Sequence, residues 1–456
     1  MHARVESSFR DPSGFLFFRD NVLYRQVNLV YRDHYDHLIE SGLYETLEAN
    51  GLLVPHAEVN LQGSESGRER YKIIRPEVIP FISYPYEWCF SQLRDAALTT
   101  LRIQRIALKH GMILKDASGF NIQFIRGKPI LIDTLSFELY REGLPWVAYR
   151  QFCQHFLGPL ALMARRDVRL SQMLHIFMDG IPLDLTSRLL PAKTWASFPL
   201  LSHLHIHGLM QKSSEHQKVD TKTISRKGLL AIIDSLESAV HGLRWEPSGT
   251  TWSDYYERNL GYTGEGLELK KRFVAQSLEH IGPKSVWDIG ANTGVFSRLS
   301  ASRGILTVSM DSDPAAVERN YLTCKERNES YILPLLVDIS NPSANIGWDN
   351  RERISLFDRG SPDVILALAL AHHLAISNNV PFARIAECFA GQCRFLIIEF
   401  VPKDDPKVQE LLRNREDVFT DYRQEAFEYE FGKFFSTVCF ARVPDCKRIL
   451  YLMQRK

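Results

Sequence analysis

Five apolar runs of strand length follow one another along the second half of the chain, separated by polar or helix-like segments. The runs cover residues 286–289, 305–310, 331–337, 364–370 and 395–401. Apolar runs of this length that alternate with helical segments predict βαβ units, in which parallel strands form one sheet. The second half of the chain is therefore predicted to be an α/β domain.

The turn after the first run contains two glycines and an acid, in the sequence VWDIGANTGVFS at residues 286–297. Glycine lets a ligand approach the backbone closely, and the helix that follows would point free N–H groups into the turn. The spacing differs from the dinucleotide pattern G-x-G-x-x-G, because Asn292 stands at the second glycine position. Asp288 would repel a pyrophosphate and stabilise an ammonium group. The turn thus indicates a cation-bearing nucleoside rather than NAD.

The pattern D-x-G-x-N-x-G, formed here by Asp288, Gly290, Asn292 and Gly294, resembles motif I of the class I S-adenosylmethionine (SAM) methyltransferases. This resemblance implies that SAM is the cofactor. It also implies that these four residues hold the methionine end of SAM.

Acidic residues also end the second and third apolar runs, as they do in that family. Asp311, followed by Ser312, lies 21 residues after Gly290, and Asp338 ends the third run. The resemblance implies that Asp311 binds the ribose hydroxyls, that Asp338 meets the adenine amino group, and that Ser312 belongs to the same site. Each acid alone could equally be a helix cap or a turn residue. Ligands of such sheets, however, bind at the carboxyl ends of the strands, where these acids are predicted.

The fourth and fifth runs carry further candidates for chemistry. His372 and His373 follow the fourth run and resemble motif IV of small-molecule methyltransferases. Either histidine could act as a general base, contact the substrate, or be a packed, hydrogen-bonded element. Glu399, in the fifth run, is interpreted as a structural residue or a substrate contact.

The methyltransferase resemblance covers residues 251–456. It implies a doubly wound, seven-stranded Rossmann-like sheet, closed by an antiparallel hairpin from residues 437–443 and 448–453. The aromatic residues before the first strand could line a lid over the cofactor or pack a helix onto the sheet: Trp252, Tyr255, Tyr256 and Tyr262. The long polar loop 339–362 could reach over the acceptor pocket, because long loops in compact domains tend to be functional.

The first half of the chain shows a second constellation. Residues 15–30 predict two strands about a tight turn at Asp20 and Asn21, and helical segments follow at 35–50 and 89–110. Asp116, Asn121 and Asp133 resemble the catalytic and metal-binding segments of protein kinases and aminoglycoside-type phosphotransferases. The resemblance implies a base and magnesium ligands at these positions.

Several departures weaken the phosphotransferase interpretation. Leu114 and Lys115 replace the usual His and Arg, and Thr134 and Leu135 replace Phe and Gly. Neither a glycine-rich phosphate loop nor a lysine-bearing V-A-I-K strand precedes them. Residues 1–210 are therefore predicted to form an α+β kinase-like domain that is degenerate.

Residues 211–250 are predicted to be a linker followed by a helix, because 211–225 are polar and 227–243 have helical apolar spacing. Just before them, His203, His205 and His207, with His216 nearby, could line up as metal ligands or could be buried packing residues. Because no cysteine or carboxylate stands at ligand spacing, no metal site is predicted.

The composition is that of an ordinary water-soluble enzyme. The 456 residues have a formal net charge of +1 and are 45% hydrophobic, so nothing draws the chain to nucleic acid or to an anionic membrane. No apolar run reaches membrane-spanning length, and the start of the chain lacks the apolar centre of a signal peptide. The seven cysteines form no CxxC pair. Reduced thiols, and hence a cytoplasmic location, are expected.

The order of the two halves, kinase-like and then methyltransferase, resembles a bacterial family that includes rhizobial host-specific nodulation proteins of the NoeA type. The resemblance implies an acceptor that is a small molecule, a glycan or a glycolipid. Three functions stay open: a methyltransferase, a bifunctional phosphotransferase–methyltransferase, and a non-catalytic regulator that binds SAM. The oligomeric state is not predicted.

Overall fold

The computed structural model describes residues 3–61, 69–209, 223–247, 264–413, 416–444 and 446–456. Contacts divide the chain into two units: Met1–Glu246 with Asn345–Ile354, and Pro247–Ala344 with Ser355–Lys456. This division differs from the predicted domains 1–210, 211–250 and 251–456 in two places. The helix Arg226–His241 groups with the first unit, where Arg105 pairs with Asp234 and Glu237 at 2.6 and 2.7 Å. A short segment of loop 339–362 also groups with the first unit.

The first unit begins with an antiparallel sheet of order β1-β2-β3-β5-β4. Its strands are β1 (Ala3–Arg4), β2 (Gly14–Arg19), β3 (Val22–Asn28), β4 (His56–Glu58) and β5 (Arg70–Pro76). The turn between β2 and β3 places Asp20 and Asn21 at φ 51° and 60°. Two left-handed residues are what a type I′ turn requires, and the predicted hairpin is confirmed.

Helices and two small sheets complete the first unit. The sheets pair β6 (Met112–Leu114) with β9 (Phe137–Leu139), and β7 (Ile122–Ile125) with β8 (Lys128–Leu131). The longest helix, Phe90–Lys109, buries apolar residues at helical spacing, such as Leu93, Ala97 and Leu101. The other α-helices are Arg32–Glu40, Leu43–Ala49, Tyr149–Phe152, Gly158–Arg165, Met173–Ile176, Leu183–Leu189, Phe198–Leu200 and Arg226–His241.

The second unit contains a seven-stranded sheet of order β12-β11-β10-β13-β14-β16-β15. Its strands are β10 (Ser285–Ile289), β11 (Leu306–Asp311), β12 (Ile332–Leu336), β13 (Val364–Ala367), β14 (Phe395–Phe400), β15 (Phe435–Arg442) and β16 (Ile449–Arg455). The first five strands are parallel, and β16 runs antiparallel to both its neighbours. The predicted α/β class and the antiparallel hairpin are confirmed.

The helices of the second unit follow the strands as a parallel sheet requires. They are Gly264–Ile281, Ser297–Ala301, Pro314–Arg327, Phe382–Gln392, Pro406–Leu412 and Gln424–Gly432. Strand and helix side chains form one buried core that includes Val274, Val286, Val364, Ile397 and Leu450. Because the order reverses between β10 and β13, a crevice is expected where these two strands end. Over the described residues, every helix is too short or too polar to cross a membrane.

Candidate functional site

A cavity of about 300 Å³ opens at the carboxyl ends of the parallel strands in the second unit. Seven of the predicted site residues form part of its wall: Gly290, Asn292, Asp311, Ser312, Asp338, His372 and His373. The volume is at the lower end of the range for small-molecule sites, about 300–1,000 Å³. The strand-end residues that are scattered in sequence are thus brought to one place by the parallel sheet.

The turn after β10 is shaped by its glycine and asparagine. Gly290 has φ 76° and Asn292 has φ 51°, a region that glycine and asparagine tolerate best. The Gly290 and Ala291 amides both donate to the Met310 carbonyl, at 2.9 and 3.0 Å. A side chain at Gly290 would approach Leu370 Cδ1, on the cavity wall, to 3.3 Å. The bare backbone of this turn therefore keeps the cavity open.

Asp311 is held by the backbone of its own unit. Its Oδ2 accepts from the Asn292 amide at 2.8 Å, and its Oδ1 accepts from the Asp313 amide at 2.9 Å. A carboxylate offers about four lone-pair sites, so each oxygen retains capacity for a ligand hydroxyl. Burial raises the pKa of the Asp311 carboxyl to about 6, against the lowering effect of these two amides. The Asp311 carboxylate is therefore fixed in orientation and can still accept hydrogen bonds from a ligand.

Asp338 follows β12 and is exposed on the cavity wall. Its Oδ1 accepts from the Ser340 amide at 2.9 Å and from the Ser340 hydroxyl at 2.6 Å. This local turn is typical of Asp after a strand, and it orients the carboxylate without occupying both of its oxygens.

His372 and His373 follow β13 and both line the cavity, with their ring centroids 4.2 Å apart. The wide helical turn His373–Ser377 begins at this point. His372 is only 2% exposed, and its Nδ1 has no hydrogen-bond partner among the described residues. Burial lowers the pKa of His372 well below its usual value, and lowers the pKa of His373 to about 4. Both rings are neutral at neutral pH and can accept a proton or a hydrogen bond.

Asp288 and Gly294 do not belong to the cavity wall, although the sequence predicts cofactor contacts for both. The Asp288 carboxylate is buried and accepts from the Ser297 hydroxyl at 2.6 Å, and burial raises its pKa to about 6. A side chain at Gly294 would come within 2.5 Å of the Asn320 side chain. The structure gives Asp288 a role in tying β10 to the next helix. It gives Gly294 a role in close helix packing.

A buried ionic network lies near His372, and the sequence analysis missed it. Lys270 Nζ lies 2.6 Å from Glu399 Oε2, and both side chains are almost fully buried. Arg448 lies 3.9 Å from the other Glu399 oxygen and binds Asp405 through two nitrogens at 2.7 and 3.0 Å. Glu399 is therefore a structural partner of Lys270, the first of its two predicted roles.

Lys407, another residue that the sequence analysis missed, lines the cavity two positions after Asp405. Asp405 caps the helix Pro406–Leu412 by accepting from the Lys407 amide at 2.9 Å. The Asp-Pro pair is a helix-start signal that could have located this wall of the site.

In the first unit, Asp116, Asn121 and Asp133 also come together, but internal partners hold them. Asp133 accepts from Arg25 at 2.8 Å, from the Leu135 amide at 2.9 Å and from the Ser136 hydroxyl at 2.9 Å. Asp116 accepts from the Ser118 amide, from Gln151 and from the Asn121 side chain. Burial is the main cause of the raised pKa of Asp116. Arg25 on β3 thus satisfies the acid that was predicted to hold magnesium.

His203 and His205 lie in the wide helical turn Leu201–Ile206 and are bound by hydroxyl groups. Tyr149 and Ser235 bind the two ring nitrogens of His203, and Ser187 and Thr194 bind those of His205. Across the described ranges, no group of three or more His, Cys, Asp or Glu residues could hold a metal ion. His216, Trp252, Tyr255, Tyr256 and Tyr262 lie outside the described residues.

Known structures resemble the chain weakly. Magnesium protoporphyrin IX methyltransferase from Synechocystis PCC 6803, with bound SAM, is 17% identical with a TM-score of 0.30, covering 45% of this chain and 86% of that one. The N-methyltransferase NodS from Bradyrhizobium japonicum WM9 is 12% identical with a TM-score of 0.31, covering 42% and 97%. These values are too low to assign an activity.

No protein-family model matches the chain. One curated relative matches nearly all of it: nodulation protein NoeA of Rhizobium meliloti (strain 1021) is 33% identical over 470 residues, which cover 99% of this chain and 96% of the relative. The match therefore extends over both units of this chain. The chain belongs to the family of nodulation protein NoeA.

Proposed function

We propose that the second unit binds SAM at the strand-end cavity and transfers its methyl group to a small-molecule, glycan or glycolipid acceptor. The observation that carries this proposal is the convergence of Gly290, Asp311 and Asp338 on one cavity at the switch point of a parallel sheet. The residues fit the cofactor. Two carboxylates with free acceptor capacity suit the ribose hydroxyls and the adenine amino group, and an uncovered backbone turn suits the methionine end.

When bound, SAM supplies a methyl group that its sulfonium already makes electrophilic. The task of the chain is to orient an acceptor atom toward that group and to exclude water. Asp311 and Asp338 fix the nucleoside, and Lys407, whose ammonium pairs with Glu410 at 3.0 Å, lies on the same wall. His372 or His373, neutral at working pH, takes the proton that a hydroxyl acceptor loses. Both rings are neutral and so place no fixed positive charge against the sulfonium, while the lowered pKa of His372 and of His373 makes each ring a weak base before a ligand binds.

The relative's name supports an acceptor connected with nodulation, and a signal glycolipid is the acceptor class that we propose. We also propose a cytoplasmic site of action. Folds host many functions, so the acceptor must be identified by experiment.

The bifunctional alternative is disfavoured by the ion pair between Arg25 and Asp133. A magnesium ion at Asp133 would have to displace a guanidinium at 2.8 Å. We therefore propose that the kinase-like first unit is degenerate, and that phosphoryl transfer is absent from it.

The test is turnover of SAM labelled in its methyl group, with purified protein and fractionated cell extract. We expect label to enter one fraction with the wild-type protein and with Gly391→Arg, since Gly391 faces open space on a helix. Gly290→Arg should transfer none, because its side chain would fill the turn. If SAM binds but no fraction gains label, the protein is a SAM-binding regulator and the enzyme proposal is wrong.

A further inference from the structure

A second cavity of about 560 Å³, called the side cavity below, lies in the second unit next to the strand-end cavity. The wide helical turn His373–Ser377 borders both cavities. Leu374 lines the strand-end cavity, and Ala375 lines the side cavity. Because the Cα atoms of consecutive residues lie about 3.8 Å apart, a single chain segment separates the two cavities at this point. A ligand in the side cavity is therefore a neighbour of a ligand in the strand-end cavity.

The inner wall of the side cavity is aromatic and firmly held. Phe382 and Tyr422 line it with their ring centroids 5.2 Å apart, and they are 7% and 5% exposed. The Tyr422 hydroxyl donates to the Val401 carbonyl at 2.6 Å, and Lys403 Nζ donates to the Phe419 carbonyl at 2.8 Å. These bonds fix both ends of the wall segment 419–422, so little ordering is required of it when a ligand binds.

The helix Gln424–Gly432 presents an exposed aromatic ring to the side cavity. Its inner face buries Phe427 and Phe431 in the core, whereas Tyr429 lines the cavity and is 68% exposed. The Lys433 ammonium lies 4.5 Å from the centroid of the Tyr429 ring and restrains it. An aromatic surface is thus available to a ligand at the rim of the cavity.

The rim also carries polar groups that the protein itself leaves unused. Asp421, Arg423 and Glu425 line the cavity, and their side chains form no hydrogen bond or ion pair with any residue that the structure describes. Glu430, by contrast, is paired with Lys433 at 2.7 Å. Two carboxylates against one guanidinium leave an excess of negative charge, which disfavours an anionic ligand such as a phosphate or a carboxylate.

We propose that the side cavity binds a sugar unit of the methyl acceptor, one that carries no negative charge. A sugar ring offers hydroxyls that both donate and accept, and the carboxylates of Asp421 and Glu425 accept while Arg423 donates. The Tyr429 ring covers the apolar C–H face of such a ring. A lipid chain would instead desolvate these polar groups without replacing their hydrogen bonds to water. The inference rests on the proposed function, because it names the acceptor class for the neighbouring cavity.

The test is binding of the purified full-length protein to immobilised neutral, amino and acidic oligosaccharides. We expect the wild-type protein to bind neutral or amino oligosaccharides and not the acidic ones. Tyr429→Ala should weaken this binding about tenfold, because it removes the aromatic surface. Tyr331→Ala is the matched control and should bind as the wild type does, since Tyr331 is 46% exposed and belongs to neither cavity wall.

Glu425→Gln is a second variant that keeps the size of an exposed side chain and removes only its charge. It should weaken sugar binding several-fold and leave the thermal midpoint of the protein unchanged. The inference is overturned if the wild-type protein binds only acidic oligosaccharides or none, or if Tyr429→Ala and Glu425→Gln both bind as the wild type does.

Calorimetric titration with SAM separates this inference from the proposed function. SAM affinity should be unchanged in Tyr429→Ala and Glu425→Gln, because neither residue lines the strand-end cavity. A wild-type protein that binds SAM but no oligosaccharide contradicts the inference alone. A wild-type protein that binds oligosaccharide but no SAM contradicts the proposed function and leaves the side cavity as a sugar site.

Discussion

Asp311 and Asp338 in the second unit line a cavity, whereas Asp116 and Asp133 in the first unit are held by side chains of their own unit. In the second unit, backbone amides orient Asp311 and leave lone pairs for a ligand. In the first unit, Arg25 supplies the positive charge that a metal ion would supply. Acids at strand ends thus indicate a ligand site only where the protein does not provide their counter-charges.

The two units also differ in where their buried ion pairs lie relative to the predicted site residues. Lys270 and Glu399 form a nearly fully buried pair that is not part of the cavity wall, while Arg25 and Asp133 pair within the predicted functional cluster itself. In the second unit the ion pair is separate from the residues that line the cavity. In the first unit the ion pair engages Asp133, one of the three predicted site residues.

The largest expected effect comes from breaking the buried pair. Lys270→Met should lower the free energy of unfolding by about 3–5 kcal/mol, because Glu399 would keep a buried charge without its closest partner. Lys271→Met is the control, since Lys271 makes an exposed pair with Glu268 at 2.7 Å and should cost at most about 1 kcal/mol. Urea unfolding measures both. Equal losses for the two variants would show that the pair is not a structural support.

A smaller loss is expected for Arg25→Met, about 1–3 kcal/mol, because Asp133 keeps its hydrogen bonds from Leu135 and Ser136. SAM affinity should not change in this variant. A loss of SAM binding in Arg25→Met would contradict the conclusion that the two acid clusters act independently.

The pH dependence of SAM affinity tests the raised pKa of Asp311, which is about 6. The carboxyl is ionised above that pH and protonates below it, and the ionised form is the stronger acceptor. Affinity should therefore be full at pH 7.5 and fall below pH 6, by up to about tenfold per pH unit. Asp311→Asn should flatten the profile measured by calorimetry. A profile that is flat in the wild-type protein would contradict this assignment.

The smallest expected effect is that of magnesium and ATP. With Arg25 at Asp133, the thermal midpoint of the protein should not shift on addition of Mg-ATP. A midpoint that rises with ATP concentration, and no longer does so in Asp133→Asn, would revive the phosphotransferase alternative.

The sheet was predictable because its strands are short, continuous apolar runs bounded by turn residues, and such runs can be recognised in the sequence alone. The hairpin at Asp20 and Asn21 was predictable because few residues tolerate left-handed positions. Because the carboxyl ends of parallel strands meet at one edge of a sheet, the order of the apolar runs also predicted that Gly290, Asn292, Asp311 and Asp338 lie at that edge.

The partners of buried charges were not predictable from one sequence. Lys270 meets Glu399 across 129 positions, and Arg448 meets Asp405 across 43. No local pattern encodes such pairs, because they depend on how helices pack against the sheet. The burial of Asp288 was missed for the same reason.

We propose that Asp311 and Asp338, unlike Asp116 and Asp133, bind a nucleoside. Calorimetric titration with SAM tests it most directly. We expect binding by the wild-type protein, a loss of about 100-fold, or ~2.7 kcal/mol, in Asp311→Ala, and unchanged affinity in Asp133→Ala. Absence of binding in the wild-type protein, or equal affinities in all three, would contradict it.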